Sequence, residues 1–260
     1  MTPDQIARAA GALARARRES VRFDALPEDC QIQDMSAGYA VQDALHETLG
    51  IPVAGYKIGC TTAVMQKFLK IDQPCGGGIQ ATDIFSSPAT LPHNQYRRVG
   101  VECEIATRLG RDLLPSDAPF TRDTVADAVS ACIPAIEIVD DRYVDYPSLN
   151  AATLIADDFF GAGCVLGPAR SDWQALNLPT TNAAMRVNGA EVGTGTGMQV
   201  MGHPFEALAW LANMLAQRGR GLEKDQIVLT GSIVETQWVD AGDTVTVVVD
   251  GLGEAEVRFT

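Results

Sequence analysis

The chain has 260 residues, of which 46% are hydrophobic, and its formal net charge is −13 at pH 7. This length suits one large globular domain with a sizeable core. The acidic balance argues against nucleic acid or an anionic membrane as a partner, because both require a basic surface. A small anionic ligand would need local positive charge from a metal ion or a buried lysine.

The sequence has no feature of a membrane or secretory protein. Its apolar runs fall short of the roughly 18 residues of a membrane span, and its first residues lack the zones of a signal peptide. The six cysteines form no C-x-x-C pair and no cluster with histidine of zinc-finger spacing. We therefore expect a cytoplasmic protein with free, buried thiols.

Two helices are predicted near the N-terminus. Thr2 and Gln5 form a capping box for a first helix, which runs to Ser20. A second helix is predicted over residues 34–49, because apolar side chains recur there at helical spacing and Gly50 follows. We expect the two helices to form a small lobe against the main body.

A lysine lies in a short apolar strand, residues 54–59, and points to the face opposite Tyr56 and Ile58. Lys57 can extend to solvent, as most lysines do. Alternatively it is partly buried beside carboxylates, where it transfers a proton or binds an anionic substrate. The glycine run that follows, at residues 75–78, is predicted to be a loop.

Two acidic side chains alternate with apolar ones in the strand-like run of residues 101–105. In a β-strand, Glu102 and Glu104 lie on one face, roughly 7 Å apart. Glu137, in the apolar run of residues 135–139, is the natural third member of a cluster. Such hard oxygen ligands suit Mg²⁺ or Mn²⁺. Alternatively, all three glutamates point outward on a half-exposed sheet.

The middle of the chain is predicted to alternate between helix and strand. A helix is expected over residues 121–132, and Pro134 ends it before the strand that carries Glu137. Residues 154–160 form an apolar, helix-like piece interrupted by two acids. Asp157 there is either a cap or hydrogen-bond anchor or an active-site group, because a buried carboxylate needs a partner.

From residue 161 onward the pattern is mostly β, with a hairpin predicted at Asn188-Gly189 and one long helix over residues 204–218. The glycine run at residues 193–197 follows this hairpin and opens no helix, so it is a poor dinucleotide-binding motif. The pattern predicts an α+β fold with a mostly β core. We expect a helical lobe over residues 1–52 and a metal-binding, β-rich domain over residues 53–260.

Seven short motifs occur in one order along the chain and together resemble a known family. They are Gly55-Tyr56-Lys57-Ile58-Gly59, Glu102-x-Glu104, Ala135-Ile136-Glu137-Ile138, Ile155-Ala156-Asp157, Gly195-Thr196-Gly197, Gly202-His203-Pro204 with Ala209-Trp210-Leu211-Ala212-Asn213, and Leu229-Thr230-Gly231-Ser232. They are similar to the 2-keto-4-pentenoate hydratase and 4-oxalocrotonate decarboxylase family, within the fumarylacetoacetate hydrolase superfamily. The resemblance runs from about residue 30 to the C-terminus.

The resemblance implies a mixed β-roll with flanking helices, a homo-oligomer, and a Mg²⁺ or Mn²⁺ ion bound by Glu102, Glu104 and Glu137. It implies a small 2-hydroxy-dienoate or 2-oxo-enoate substrate from aromatic-compound degradation. The metal would stabilise an enolate, and Lys57 would transfer the proton or hold the substrate carboxylate. Water addition to the polarised chain and loss of carbon dioxide would use the same metal site.

Two departures from the family pattern concern the substrate pocket. Cys75 follows Pro74 where the family resemblance leads us to expect an acid. Asp158, Phe159 and Phe160 stand where Asn and then small polar residues are expected. Because these changes affect the groups that would handle water, the hydratase prediction has two alternatives. One is a decarboxylase or tautomerase with the same metal site, and the other is a non-catalytic partner subunit of a related enzyme. Around the substrate, the resemblance places Cys75, Asp157, Phe160 and Ser232.

Overall fold

The computed structural model describes residues 1–260 as an α+β fold with six α-helices and twelve β-strands. The helices are α1 (Pro3–Arg18), α2 (Met35–Leu49), α3 (Ala63–Leu69), α4 (Arg122–Ala126), α5 (Ala151–Ala156) and α6 (Pro204–Gln217). The strands are β1 (Val53–Gly59), β2 (Cys75–Gln80), β3 (Ile84–Ser86), β4 (Ala89–Leu91), β5 (Val99–Leu109), β6 (Val129–Asp140), β7 (Gly161–Leu166), β8 (Asn182–Val187), β9 (Ala190–Thr196), β10 (Ile227–Trp238), β11 (Thr244–Val249) and β12 (Gly253–Phe259).

The strands form two mixed sheets. The larger sheet has seven strands in the order β2-β1-β10-β5-β6-β7-β3, and the smaller has five in the order β4-β12-β11-β8-β9. The predicted Asn188-Gly189 turn joins β8 and β9, which pair antiparallel. The predicted mixed, β-rich fold with flanking helices is confirmed.

Three clusters of buried apolar side chains hold the elements together. The largest has 41 residues and joins the two sheets with α6. A second, of 19 residues, joins α1 and α2 with α5 and the turn after it. A third, of eight residues, includes Ile79, Ala106, Ala135 and Leu229 on one face of the larger sheet. The helical lobe predicted over residues 1–52 therefore shares its core with later segments, and the division into two domains stays a prediction.

The predicted loop at residues 75–78 is wrong, because these residues belong to the buried strand β2. They pair antiparallel with β1, where Gly77 lies opposite Lys57. The glycines allow this strand to pack closely against its neighbours, and they do not form a loop. A Cβ atom at Gly77 would lie 2.6 Å from the carbonyl oxygen of Asp158.

The predicted helix over residues 121–132 is also wrong beyond its first half. Helix α4 ends at Ala126, and β6 begins at Val129 and continues through Pro134. Nearly all of β6 is buried, which is typical of a strand covered on both faces and gives an apolar run without alternation. Proline has no N–H to donate within a sheet. Pro134 is tolerated because it pairs with Ile105 of β5 at a point beyond the residues of β6 that pair with β7.

The N-terminal helices follow their predicted signals closely. Thr2 and Gln5 form the capping box of α1, and Gly50 ends α2 in the left-handed conformation. None of the six helices combines the length and the apolar character needed to cross a membrane.

Candidate active site

Three glutamates lie together on one face of the larger sheet. Strands β5 and β6 are antiparallel, and Glu102 lies directly opposite Glu137 in their register. Glu104, two residues along β5, points to the same face. One carboxylate oxygen from each of the three side chains lies within 4.8 Å of the other two. The predicted clustering is therefore present in the structure.

Lys57 reaches the same cluster from β1. Strand β1 pairs with β10, and β10 pairs with β5, so that Lys57 lies two strands away from the glutamates of β5. Its Nζ lies 2.8 Å from Oε1 of Glu137. Lys57, Glu104 and Glu137 are buried, with 3%, 0% and 1% of their surface exposed. The lysine therefore does not extend to solvent.

The cluster contains more negative than positive charge. Burial, together with the charges of Glu137 and Glu102, raises the pKa of Glu104 well above its usual range. Burial and Glu137 also raise the pKa of Glu102 to about 6, although Lys57 opposes this shift. Burial alone would lower the pKa of Lys57, but Glu137 and Glu102 outweigh it, so that this pKa is raised. The cluster therefore contains three carboxyl groups and one positively charged side chain, that of Lys57.

The unpaired oxygens of this cluster fit a divalent cation. Oε1 of Glu104 and Oε2 of Glu137 are buried without a hydrogen-bond donor. The other Glu104 oxygen accepts a hydrogen bond of 2.8 Å from the Gly231 amide, and the Thr236 hydroxyl donates to Glu102. Buried charged oxygens without partners are costly. A divalent ion with oxygen ligands would satisfy them and balance the charge.

Asp157 is held as an anchor by three side chains. Its carboxylate accepts hydrogen bonds from Arg17 at 2.7 Å, from Arg142 at 3.1 Å and from the hydroxyl of Tyr143 at 2.9 Å. The first of these ties α1 to the end of α5. Of the two roles that the sequence left open, the geometry shows the hydrogen-bond anchor. Contact between Asp157 and substrate stays a prediction.

The other three residues predicted around the substrate lie in different surroundings. Ser232 lies opposite Glu104 in the register of β10 and β5, and its hydroxyl donates to the carbonyl of Val234. Cys75 is fully buried, and the neighbouring Cys60 thiol together with burial raises the pKa of the Cys75 thiol. Phe160 packs edge-on against Tyr143 and Tyr146, with ring centres 5.2 and 5.4 Å apart. Their roles in substrate binding stay predictions.

Phe159, one of the departures from the family pattern, lies near Lys57, a position that the sequence did not indicate. Its ring centre lies 5.5 Å from the lysine Nζ. It belongs to a left-handed turn in which Asp158, Phe159 and Phe160 have φ angles of 56°, 49° and 65°. Side chains with a Cβ atom pay about 1–2 kcal/mol for each such residue. Strain of this kind persists only where the surroundings enforce it.

Asp158 holds the strained turn in place. Its carboxylate lies 2.8 Å from Nε2 of His46, accepts a hydrogen bond of 2.8 Å from the Gly78 amide, and accepts another of 3.0 Å from Arg17. Burial would raise the pKa of Asp158, but His46 and Arg17 outweigh it and lower this pKa. Two acids in an apolar run were the only sequence signal of this network.

The fold and the glutamate cluster define a class of protein, and comparison with known families agrees. Residues 74–260 match the family model described as fumarylacetoacetate (FAA) hydrolase C-terminal. The chain belongs to this family. A solved structure of 4-oxalocrotonate decarboxylase from Pseudomonas putida G7, complexed with magnesium and adipate, has the same fold. The TM-score is 0.89 at 24% identity, over 100% of this chain and 99% of that chain.

The relatives with curated names are mostly hydratases. A 2-keto-4-pentenoate hydratase of Paraburkholderia xenovorans (strain LB400) is 30% identical over 100% of this chain and 96% of its own length. A 2-hydroxyhexa-2,4-dienoate hydratase of Comamonas testosteroni is 32% identical over 83% of this chain and 81% of its own length. These relatives indicate an enzyme of the lyase class.

Proposed function

We propose that this protein is a divalent-metal-dependent hydratase of aromatic-compound degradation. Its substrate is a 2-hydroxy-dienoate, which reacts through its 2-oxo-enoate form. The single observation that carries the proposal is the cluster of three glutamates, two buried and one half-buried, with Lys57 against it. Similarity to named hydratases over 100% and 83% of this chain supports the substrate class.

Glu102, Glu104 and Glu137 would hold a Mg²⁺ or Mn²⁺ ion. When bound, this ion supplies Lewis-acid polarisation of the 2-oxo group of the substrate. The three glutamates come from two paired strands, so their oxygens are positioned by the sheet before any ligand arrives. Such preorganisation avoids the cost of rearranging charged groups during the reaction.

Lys57 is the group that moves protons. Its Nζ is buried beside Glu137, which keeps it charged and fixes its direction. In the 2-hydroxy-dienoate, the enol proton leaves and a proton is delivered to carbon, which gives the 2-oxo-3-enoate. Water then adds across the remaining double bond, with oxygen bonding to C4 and a proton to C3. The product is a 4-hydroxy-2-oxo acid, and no oxidant or reductant is needed.

A second candidate function uses the same groups for loss of carbon dioxide or for tautomerisation. Cys75 is buried without solvent contact, and Phe159 places an apolar ring, with its centre 5.5 Å from the Nζ of Lys57, beside the proton-transfer group. A 4-oxalocrotonate decarboxylase of Pseudomonas putida is 29% identical over 82% of this chain and 80% of its own length. A third candidate, a non-catalytic partner subunit, would bind the metal without turning over any 2-oxo-enoate.

The test is an ultraviolet assay with freshly generated 2-hydroxypenta-2,4-dienoate, in metal-depleted protein and after addition of Mg²⁺ or Mn²⁺. We expect metal-dependent loss of the dienoate absorbance and a 4-hydroxy-2-oxo acid as product. A dicarboxylic 2-oxo-enoate, assayed with carbon dioxide detection, serves as the comparison. Carbon dioxide release without hydration would favour the decarboxylase. Metal binding without either reaction would favour the partner subunit.

We also propose that the protein is a homo-oligomer, as the family resemblance implies, and that it lies in the cytoplasm. Light scattering tests the first point and fractionation of the source cells tests the second. Association with a related decarboxylase or hydratase would appear as a second component during purification.

A further inference from the structure

A small cavity beside Lys57 contains polar groups that the proposed reaction does not yet use. Its lining includes Lys57, Glu137, Gln80 and Asp83. Its volume is about 10 Å³, which leaves room for about one water molecule and is too small for a substrate chain. A water molecule in this place would lie next to the proposed proton-transfer group and to one of the proposed metal ligands.

Asp83 is the carboxylate of this cavity that is not engaged elsewhere. Glu137 lies against Lys57 and belongs to the glutamate cluster. Asp83 forms no ion pair, and its carboxylate accepts one hydrogen bond, of 3.0 Å, from the Thr82 hydroxyl. A Cβ atom at Gly163 would lie 3.1 Å from Cβ of Asp83, and Gly163 lies opposite the residue that follows Glu137 in β6. Asp83 therefore packs beside the strand of the cluster and keeps one carboxylate oxygen available.

Gln80 supplies a second polar group to the cavity. It is 8% exposed, and its Nε2 is buried without a hydrogen-bond acceptor. A buried amide nitrogen without a partner is costly, and an ordered water often satisfies such a group. Gln80 ends β2, and Asp83 ends the single turn that follows it, so that both reach the same cavity. One water molecule there can accept a hydrogen bond from Gln80 and donate one to Asp83.

The surroundings of Asp83 suit a group that accepts a proton. Burial raises the pKa of this carboxyl, although the Thr82 hydroxyl, Arg17 and Arg142 oppose the shift. A carboxylate is a better base when its pKa is raised toward the working pH. Asp83 also lines a larger outer cavity, which shares Arg17 and Gly161 with the small one. Water can therefore reach Asp83 from the outer cavity.

We propose that Asp83 is the catalytic base of the hydration step, and that Asp83 and Gln80 hold the attacking water. As the water oxygen bonds to C4, one of its O–H bonds breaks and the proton goes to the Asp83 carboxylate. The electron pair of the C3–C4 double bond moves toward the 2-oxo group, and Lys57 delivers a proton to C3. The proton on Asp83 then passes to Lys57 through the cavity that both line, so no further reactant is consumed. This inference rests on the proposed function, which supplies the 2-oxo-3-enoate.

The first test locates the water and does not depend on turnover. In a high-resolution crystal structure of the Mg²⁺-loaded protein, we expect an ordered water within about 3.2 Å of both the Asp83 carboxylate and Nε2 of Gln80. Gln80→Leu removes the amide donor at similar volume and should lose this water. A wild-type cavity without an ordered water would overturn the inference, whether or not hydratase activity is found.

The second test separates hydration from the tautomerisation that precedes it. Freshly generated 2-hydroxypenta-2,4-dienoate is followed by NMR with Mg²⁺-loaded wild type and Asp83→Asn. For Asp83→Asn we expect hydration to slow by about 10²- to 10⁴-fold, as for the loss of a positioned base. Tautomerisation does not use this base and should keep its rate, so that 2-oxopent-3-enoate accumulates. An equal loss of both rates would contradict the role of Asp83.

Asp172→Asn is the matched control, because it makes the same change at an exposed aspartate that lines neither cavity. It should leave both rates unchanged. Asp83→Ala guards against a damaged fold. Added formate supplies a small carboxylate, and it should raise the hydration rate of this variant at least about tenfold. A gain of rate cannot result from a damaged fold, and no gain in folded, metal-binding Asp83→Ala would count against the inference.

These results distinguish the inference from the function on which it rests. Hydration at the wild-type rate in Asp83→Asn would leave the hydratase proposal standing and overturn the inference. A wild type that turns over no dienoate would contradict the hydratase proposal. The crystal structure would then decide the water site alone: an ordered water on Asp83 and Gln80 would support it, and its absence would overturn it.

Discussion

The glutamate cluster and the turn at residues 157–160 both contact Lys57, but they are built in opposite ways. The cluster carries excess negative charge on β5 and β6, which pair in continuous register at all three glutamates. The turn carries paired charges on a strained, left-handed backbone. In the cluster the unfavourable feature is electrostatic and a cation can relieve it. In the turn it is conformational, and only the surrounding protein can compensate it. The first region is therefore suited to hold a ligand, and the second to hold a side chain in place.

The largest effect is expected from a change within the cluster. Glu104→Gln keeps the shape of the side chain but removes a charged ligand, so it should abolish metal binding and lower kcat/KM on the order of 10³-fold. Calorimetry with Mn²⁺ and the dienoate assay measure the two losses, and circular dichroism checks the fold. Glu235→Gln is the control, since Glu235 is an exposed strand glutamate. Undiminished metal affinity in Glu104→Gln would refute the ligand assignment.

The cluster was also the region most open to prediction from sequence. Glu102 and Glu104 share a face because side chains alternate along a strand, and this rule needs no knowledge of distant residues. Their burial could not be derived in the same way, so that the outward alternative remained open until the fold resemblance and the structure removed it. The strand that carries Glu137 was predicted, but its extension back through Pro134 to Val129 was not.

The turn was less predictable because its partners are far away in sequence. Arg17 lies in α1, His46 in α2 and Gly78 in β2, and nothing local in the run of residues 154–160 indicates them. From the sequence, both phenylalanines depart from the family pattern, but only Phe160 was placed around the substrate. In the structure, three successive left-handed residues bring Phe159 to Lys57 instead. The wrong prediction of a loop at residues 75–78 has the same cause. The glycines allow β2 to approach this turn, and the turn is distant in sequence.

The link between the two regions can be broken at Lys57. Lys57→Met should lower kcat by about 10²- to 10⁴-fold, the usual contribution of a positioned proton-transfer group. It also leaves Glu137 buried without its cation, which should cost the metal-free protein about 3–5 kcal/mol of stability. Because a bound cation replaces the lost charge, saturating Mn²⁺ should restore much of this stability in thermal unfolding. Lys67→Met, at an exposed lysine of α3, should change neither quantity.

The stability that the ion pairs of Asp158 contribute to the fold should be lost at acid pH. The pKa of Asp158 is lowered in the folded protein, so the unfolded chain binds the proton first as pH falls. The stability from Asp158 is therefore complete well above its usual pKa of 3.8 and is lost below it. Asp158→Asn should cost about 3 kcal/mol at neutral pH, as for a broken buried pair. It should also flatten the loss of stability between about pH 4 and pH 2, measured by urea unfolding.

An exposed ion pair provides the control for this titration. The pKa of Asp172 is lowered by Arg170, but both side chains reach solvent, so Asp172→Asn should change the acid profile little. Identical acid profiles for wild type and Asp158→Asn would show that the turn does not depend on this charge.

The smallest effect is expected at Ser232. The Ser232 hydroxyl donates to the Val234 carbonyl. Removal of this hydroxyl leaves the hydrogen bond from Thr236 to the predicted metal ligand Glu102 in place. Ser232→Ala should therefore lower kcat/KM by about two- to tenfold, the value of one ordinary hydrogen bond. A loss as large as that of Lys57→Met would place Ser232 among the groups that handle the substrate directly.

The most direct test of the glutamate cluster as the reactive centre is a crystal structure with Mn²⁺ and 2-oxopentanoate, in which anomalous scattering locates the metal. We predict one strong peak at about 2.0–2.3 Å from an oxygen of Glu102, Glu104 and Glu137. The 2-oxo acid should contact the same ion. A cluster without a metal peak at saturating Mn²⁺, or a 2-oxo acid bound elsewhere, would contradict the proposed site and the reaction assigned to it.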